Sequence, residues 1–389
     1  MKIAVILPRV PYPLEKGDKL RAFHQIKYLS KNNDIYLYAL DADNTDIEHA
    51  KLHLSPYCKE INIYRLLPSK ITANLLKAFV KGLPLQVGYF FSKSVHKEIQ
   101  KAISLLKPDH IYCQLIRTAE YAKNSSVPRT IDYQDVFSMG AKRRVNSASW
   151  ALKPILWMEY KRLQRYETRV FSLFNNKTII SIPDRDFIRH PQKEDIAIIR
   201  NGVDFEFFNP EYKKDIRFDL TFTGNMSYAP NINAAIYLIK EIMPIVWKHF
   251  PNVTVQLAGA TPDKKVLALA SDKVSVTGWI DDIRDSYAST RIFIAPMQIG
   301  TGLQNKLLEA MAMKVPIITS ELANKALKAE KDKEVLIGKT PEDYAMHIIS
   351  LLDDDNRISQ LTENAFSFVK ENFSWDAATS MLEDLIKNK

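Results

Sequence analysis

Short apolar runs bounded by turn residues alternate with amphipathic stretches from one end of the chain to the other. Ile3–Leu7, Ile35–Leu40, Ile61–Tyr64, His110–Cys113, Arg129–Asp132 and Lys177–Ser181 read as buried strands in the first half, and Leu220–Thr223, Val253–Ala258, Val274–Thr277, Ile292–Ala295 and Pro316–Thr319 in the second. Between them the apolar positions recur with helical spacing over Lys19–Leu29, Ile232–Trp247, Leu303–Met313 and Pro341–Leu352. This alternation is the order of βαβ units, and it predicts an α/β protein built on parallel sheets.

The 389 residues exceed the roughly 250–300 at which one hydrophobic core stops growing, so two domains are expected. With 46% hydrophobic and 25% charged residues the composition is that of a globular protein; no biased tract or long apolar run points to a disordered, collagenous or membrane-spanning chain. Cys58 and Cys113 stand far apart, which fits a reducing cytoplasm and excludes a thiolate zinc site or disulfide scaffold. Met1–Leu7 is too short, and too soon followed by Pro8 and Arg9, for a secretory signal. The formal net charge of +9 divides unevenly: residues 1–200 carry +14 and residues 201–389 carry −5. The sign changes near Arg200-Asn201-Gly202, a turn signal, and the domains are accordingly expected at 1–198 and 199–389.

The segment with most chemical content runs from Ala295 to Ile318. A buried strand enters a loop with Gly300 and Gly302 and passes directly into a helix, whose N-terminal N–H groups and partial positive charge suit a phosphate. At 100° per residue Leu303, Leu307, Ala310 and Met311 share one face, and Asn305, Lys306 and Glu309 lie within about a 100° arc on the other. Lys306 is then placed to meet a diphosphate and Glu309, one turn deeper, a ribose diol. A solvated face with an i,i+3 Lys–Glu pair explains the same positions without a ligand.

The pattern Gly300-x-Gly302-x-x-Asn305-Lys306-x-x-Glu309-Ala-Met-Ala resembles the donor-site motif of family 4-type glycosyltransferases of the GT-B fold, in the variant common among sugar transferases of bacterial polysaccharide clusters. Further matches follow in order along the chain. Arg200-Asn201-Gly202-Val203-Asp204 through Pro210 is similar to the start of the family's C-terminal domain. Gly224-Asn225 with Pro230-Asn231 is similar to its first loop, and Thr277-Gly278-Trp279-Ile280 to the turn that receives the nucleotide base. Pro11 through Gly17, Asp18 and Arg21 occupy the loop that in the family meets donor phosphate or acceptor.

The resemblance implies two Rossmann-like domains facing across a cleft, the last helix (about 374–387) crossing back to the first domain. It implies a nucleotide-diphosphate sugar bound by Gly17, Arg21, Gly224, Asn225, Trp279, Ile280, Gly300, Thr301, Gly302, Leu303, Gln304, Asn305, Lys306 and Glu309, and a glycan or lipid-linked acceptor near Asp18, Asp132, Gln134 and Asp135. Lys306, Glu309 and Asp135 are the residues expected to carry catalysis, with retention at the anomeric carbon, no cofactor and no metal. Both aspartates should emerge at the carboxyl edge of the sheet; Asp135 or Ser138 would serve equally as a helix N-cap. Four positions depart from the family: Gln134 stands where a His is common, Thr301 replaces the first acid of E-x7-E, Lys314 replaces a glycine before Val-Pro, and the Arg/Lys pair usual early in the C-terminal domain is missing near Gly224–Asn231. Lys306 is left to balance the departing diphosphate.

Residues 141–174 hold eight basic and two acidic side chains, with Leu152, Leu156, Leu163, Tyr166, Val170 and Phe174 as an apolar stripe and Trp150, Trp157 and Tyr160 beside it. Basic helices with interfacial aromatics suit an anionic membrane surface, here the cytoplasmic face, as does Leu75–Tyr89; a core-facing helix with a solvated basic side accounts for the same pattern. Among other classes, a sugar-nucleotide epimerase shares the fold, a dinucleotide oxidoreductase would want GxGxxG where Pro8–Pro13 stands, and no nucleic-acid module accompanies the basic half, so nucleic acid is not expected as a partner.

Overall fold

The first apolar run forms β1 (Lys2–Leu7), whose residues are buried from Ile3 onward because it lies inside a sheet covered on both faces. The computed structural model describes residues 1–14, 16–299 and 302–388, the side chains of residues 69, 70 and 147 aside. Around β1 are arranged β2 (Asp34–Asp41), β3 (Glu60–Arg65), β4 (His110–Gln114), β5 (Arg129–Asp132), β6 (Asn176–Ile179) and β7 (Ala197–Ile198), in the order β3-β2-β1-β4-β5-β6-β7 and parallel throughout. Alternate residues of β1 serve two cores: Ile3, Val5 and Leu7 face one, Ala4 and Ile6 the other.

A second sheet contains β8 (Phe218–Thr223), β9 (Val255–Ala258), β10 (Val274–Gly278), β11 (Thr290–Ala295), β12 (Ile317–Ser320) and β13 (Leu336–Gly338), again parallel, in the order β10-β9-β8-β11-β12-β13. Two Rossmann-like sheets were the expectation, and two are found. The chain divides into residues 1–200 with the segment from Trp375, and residues 201–374.

The stretch Ile232–Trp247 is not one α-helix. Ala229–Tyr237 and Met243–His249 are α-helical, and Leu238–Ile242 between them is a π-helical turn. Pro244 lacks the N–H and its ring crowds the preceding turn, which the wider π spacing relieves. The helix expected over Leu303–Met313 is confined to Asn305–Ala312, because Gln304 keeps an extended backbone. Past its end Lys314 takes φ 54°, and its N–H bonds Met311 O while Val315 N–H bonds Ala310 O. That is a Schellman closure with lysine in the position glycine usually takes.

The helix Trp375–Lys387 packs on the helix Gly17–Leu29. Trp375 is 1% exposed and stacks on His24 with ring centroids 4.9 Å apart, and Glu383 accepts from the side-chain amides of Asn32 and Asn33. The first unit is therefore completed by the far end of the chain. Trp375→Ala is expected to destabilise it by roughly 3–5 kcal/mol, the usual cost of emptying an aromatic-sized site, read from urea denaturation monitored in that unit; a loss under about 1 kcal/mol would show that the helix is dispensable.

Candidate functional site

In the second unit the winding reverses beside β8: β9 lies on one side and β11 on the other. Loops following β8 and β11 diverge there, and such a switch point is where open α/β sheets bind ligands. Gly224 follows β8, and a Cβ on it would lie 2.6 Å from Asn231 Nδ2 and 2.9 Å from Lys306 Nζ. Gly259, after β9, is constrained more severely, since a Cβ there would meet the Gly224 carbonyl oxygen at 1.9 Å. Only glycines let these two backbones and the lysine tip converge. Gly259 is absent from the sequence reading, although a glycine directly after an apolar strand was its visible signal.

Lys306, in the first turn of the helix Asn305–Ala312, donates to Asn231 Oδ1 at 2.7 Å and lies 4.4 Å from the Phe222 ring centroid. Among the described residues no carboxylate comes within ion-pair distance of it. Burial pushes its pKa down to about 7, and Glu309 only partly opposes the shift. Glu309 accepts a 2.6 Å hydrogen bond from Tyr287, whose hydroxyl is 2.9 Å from Thr223 Oγ1. Burial pushes the Glu309 carboxyl up, with Tyr287 and Lys306 pulling the other way. Tyr287 is wholly buried and anchors one glutamate oxygen, Oε2, and among the described residues Oε1 has no hydrogen-bond partner. Tyr287 and Thr223 were missed because nothing local marks them.

Other residues expected at this site are less uniform. Asn305 Oδ1 accepts from Asn201, Gln304 bonds Gly302 O, and Leu303 packs against the core. No side chain caps the helix start. Asn225 Oδ1 organises its own loop by accepting from Ser227 and Thr261. Trp279 is exposed, its indole N–H donating to Asp281, and Ile280 is half-buried. Gly300 and Thr301 lie outside the described residues.

In the first unit two of the expected ligand residues meet each other. Arg21 and Asp132 are both fully buried and paired with each other, Nε to Oδ2 at 2.6 Å and Nη2 to Oδ1 at 3.2 Å. Thr178 donates to Asp132 Oδ1 at 2.8 Å, and the Tyr112 hydroxyl lies 2.9 Å from Oδ2. Burial alone would lower the Arg21 pKa; its partnership with Asp132 outweighs that and the net shift is upward. The pair is an internal tie joining the helix Gly17–Leu29 to β4, β5 and β6, with neither side chain reaching solvent. The Asp18 carboxylate is held by Arg9 at 2.5 Å, and a Cβ on Gly17 would meet nothing within 4 Å.

Asp135 does emerge exposed. Burial of its surroundings raises its carboxyl to about 6, with Asp184, Asp18 and Asp132 adding to the shift and Arg143 opposing it. Gln134 before it has φ 57° and is 4% exposed, its Nε2 without a hydrogen-bond acceptor among the described residues. Neither Asp135 nor Ser138 caps the following helix, Phe137–Ser147: its N-cap is Val136, and Glu167 reaches across to accept from Ser138 N at 2.9 Å. Asp135 is thereby left without a structural task in that helix.

Residues 217–354 match the family model described as "Glycosyl transferases group 1". A 44.6 kDa protein from the cps region of Klebsiella pneumoniae is 24% identical over 393 residues, covering 96% of each chain. The structure of Anabaena Alr3699/HepE in complex with UDP superposes with a TM-score of 0.69 at 14% identity and full coverage of both chains. Sucrose-phosphate synthase from Thermosynechococcus elongatus gives the same score and identity over 100% of this chain and 98% of its own.

A half-buried, desolvated lysine of this kind should titrate visibly. In the protein labelled with 13Cε-lysine, Lys306 is expected to titrate near 7, well below the roughly 10.4 of ordinary lysines, and inorganic pyrophosphate should raise that midpoint because an anion favours the charged form. Since the unfolded chain holds the proton up to the ordinary value, this group makes stability rise with pH between the two pKa values. A free-protein midpoint above 9 would refute the description of Lys306 as a desolvated cation.

Proposed function

We propose that this chain, with its two Rossmann-like sheets and its match to a group 1 glycosyl transferase model at residues 217–354, is a glycosyltransferase that moves a sugar from a nucleotide-diphosphate donor to a glycan or lipid-linked acceptor in bacterial polysaccharide synthesis. The observation that carries this reading is Lys306: a half-buried, desolvated cation with no carboxylate partner among the described residues, at the switch point and beside two glycines that keep the site open. Such a cation is costly unless an anion joins it, and a diphosphate supplies the anion. UDP is the first nucleotide to try, since it was bound to Alr3699/HepE. The cps-region relative supports the polysaccharide setting.

In this reading Gly224, Asn225 and the start of the helix Asn305–Ala312 receive the diphosphate. Glu309, oriented by Tyr287, accepts from the ribose diol through Oε1, and Trp279 and Ile280 flank the base. As the bond between the anomeric carbon and the diphosphate oxygen breaks, negative charge grows on the leaving group, and Lys306 with the helix dipole stabilises it in the role a metal ion plays elsewhere. The first unit holds the acceptor near Asp135. The leaving diphosphate takes the acceptor proton, so the sugar is transferred with retention and Gln134 is tolerated in place of a histidine. Lys306→Ala should lower kcat about 10²-fold, roughly the loss of one preorganised charge. Glu309→Gln should impair donor use, and EDTA should leave turnover unchanged. Near-normal kinetics in both variants would remove the donor-site assignment, and loss on chelation restored by Mg²⁺ would remove metal independence.

A lipid-linked acceptor places the enzyme on the inner membrane face. Among the described residues no helix is long and apolar enough to cross a membrane. Leu163, Tyr166 and Val170 of the helix Lys153–Leu173 face the core, but its first turns do not: Leu152, Ile155 and Trp157 are exposed, and Trp150 before them is 86% exposed. Leu76, Phe79 and Val80 of the helix Pro68–Val80 are exposed too, and Arg162 stacks on Phe79 at 4.9 Å, so the two surfaces adjoin. Lys77, Lys81, Lys153 and Lys161 supply basic charge, a combination suited to an anionic bilayer. Full-length protein should co-sediment with phosphatidylglycerol vesicles at low salt, and Trp150→Ala with Trp157→Ala, or reversal of Lys77, Lys81 and Lys153 to Glu, should weaken binding at least about tenfold while nucleotide binding persists. Indifference to anionic vesicles would favour a soluble acceptor.

A further inference from the structure

The first sheet has its own switch point, between β1 and β4. Arg9 follows β1, Arg117 follows β4 and Asp135 follows β5, so all three stand at the carboxyl edge around that point. Arg9 and Arg117 gather at one aromatic ring: their guanidinium carbons lie 5.6 Å and 4.8 Å from the Phe90 centroid, and Arg117 is also 4.5 Å from that of Phe137.

The arginines of this region differ in how their charge is met. Arg21 has Asp132, Arg9 has Asp18 and Asp43, and Arg185 has Glu194. Arg129 is surrounded by backbone carbonyls, among them Leu173 O at 2.7 Å. Among the described residues Arg117 has a neutral partner alone: it donates to Gln86 Oε1 at 2.9 Å, its buried Nε finds no acceptor, and no carboxylate lies within ion-pair distance. Gln86 is itself held, its backbone N–H donating to Glu159 at 3.2 Å. Burial and the neighbouring charges of Arg9 and Arg144 lower the Arg117 pKa to about 10, while Asp18 and Asp135 act in the opposite direction. Two ring faces and a fixed amide thus orient a guanidinium that pairs with no carboxylate among the described residues, and a planar fork of this kind suits an oxyanion.

We propose that Arg117 binds an anionic group of the acceptor, a phosphate or a carboxylate, beside the place where Asp135 meets the acceptor hydroxyl. This rests on the glycosyl-transfer reading and narrows it: the acceptor is charged, either as a phosphate-linked lipid carrier or as an acidic sugar.

The test uses full-length protein with 15N-arginine, the Arg117 Nε–Hε resonance being assigned by Arg117→Lys, and UDP held at a concentration that saturates its site by calorimetry. Inorganic pyrophosphate represents the phosphate source, methyl glucuronate the acidic sugar, and methyl glucoside the neutral control. One of the two anions, and not the glucoside, should shift the Arg117 resonance saturably, and which one does so identifies the source. Arg117→Gln should weaken that binding at least tenfold with UDP affinity and thermal melting unchanged, and Arg117→Lys, which keeps the charge without the fork, should fall between. The proposal is overturned if neither anion moves the resonance, if UDP alone moves it, or if Arg117→Gln binds as well as the natural chain. Failure of every nucleotide diphosphate to bind would instead count against the donor site in the other unit, a separate result.

Discussion

Each sheet is wound outward from its first strand in both directions, and that reversal is the constraint on which the rest depends. Helices that follow neighbouring strands at the reversal pack on opposite faces of the sheet, so the loops leading to them part and leave a crevice at the carboxyl edge. The two units fill the region differently. In the first a fully buried guanidinium, Arg21, is matched by Asp132, Thr178 and Tyr112. In the second the cation is the half-buried Lys306, with one amide oxygen and one ring face as its company among the described residues. The first arrangement is closed chemistry that holds the fold. The second is open, and its cost in the free protein is what makes an anion welcome.

Support for these loops comes from residues distant in sequence. Tyr287 rises through the core to hold Glu309, and Gly259 gives up its side chain so that the backbone at Gly224 fits. In the first unit two glutamates of the helix Lys153–Leu173 cap other helices from outside: Glu159 accepts from Leu85 and Gln86, and Glu167 from Ser138. These bonds satisfy N–H groups that the local sequence leaves open. They also spare Asp135 from capping and fix Gln86 beneath Arg117. The same helix therefore orients parts of the proposed acceptor site while its exposed first turns carry the apolar side chains offered to a membrane.

Much of the α/β framework was legible because a parallel strand buried on both faces must be apolar along its length. That signal marks β1, β2 and β11 plainly and leaves β7 and β13, of two and three residues, below notice. The exposed placement of Asp135 and the common face of Lys306 and Glu309 followed from their positions after a strand and along a helix. The pairing of Arg21 with Asp132 did not, because 111 residues separate them and each, read alone, resembles a ligand-binding group at a strand end.

By itself the sequence determined what local periodicity and steric rules control: the alternation of strands and helices, the parallel sheets, the glycine-opened loop before Asn305 and the change of charge sign near residue 200. Tertiary structure alone decided which charges are answered and which are not. Whether a buried Lys or Arg is a structural tie or a waiting site depends on the group that folding brings within about 3 Å of it, and a hydrogen bond of that length carries no trace in the spacing of the residues it joins.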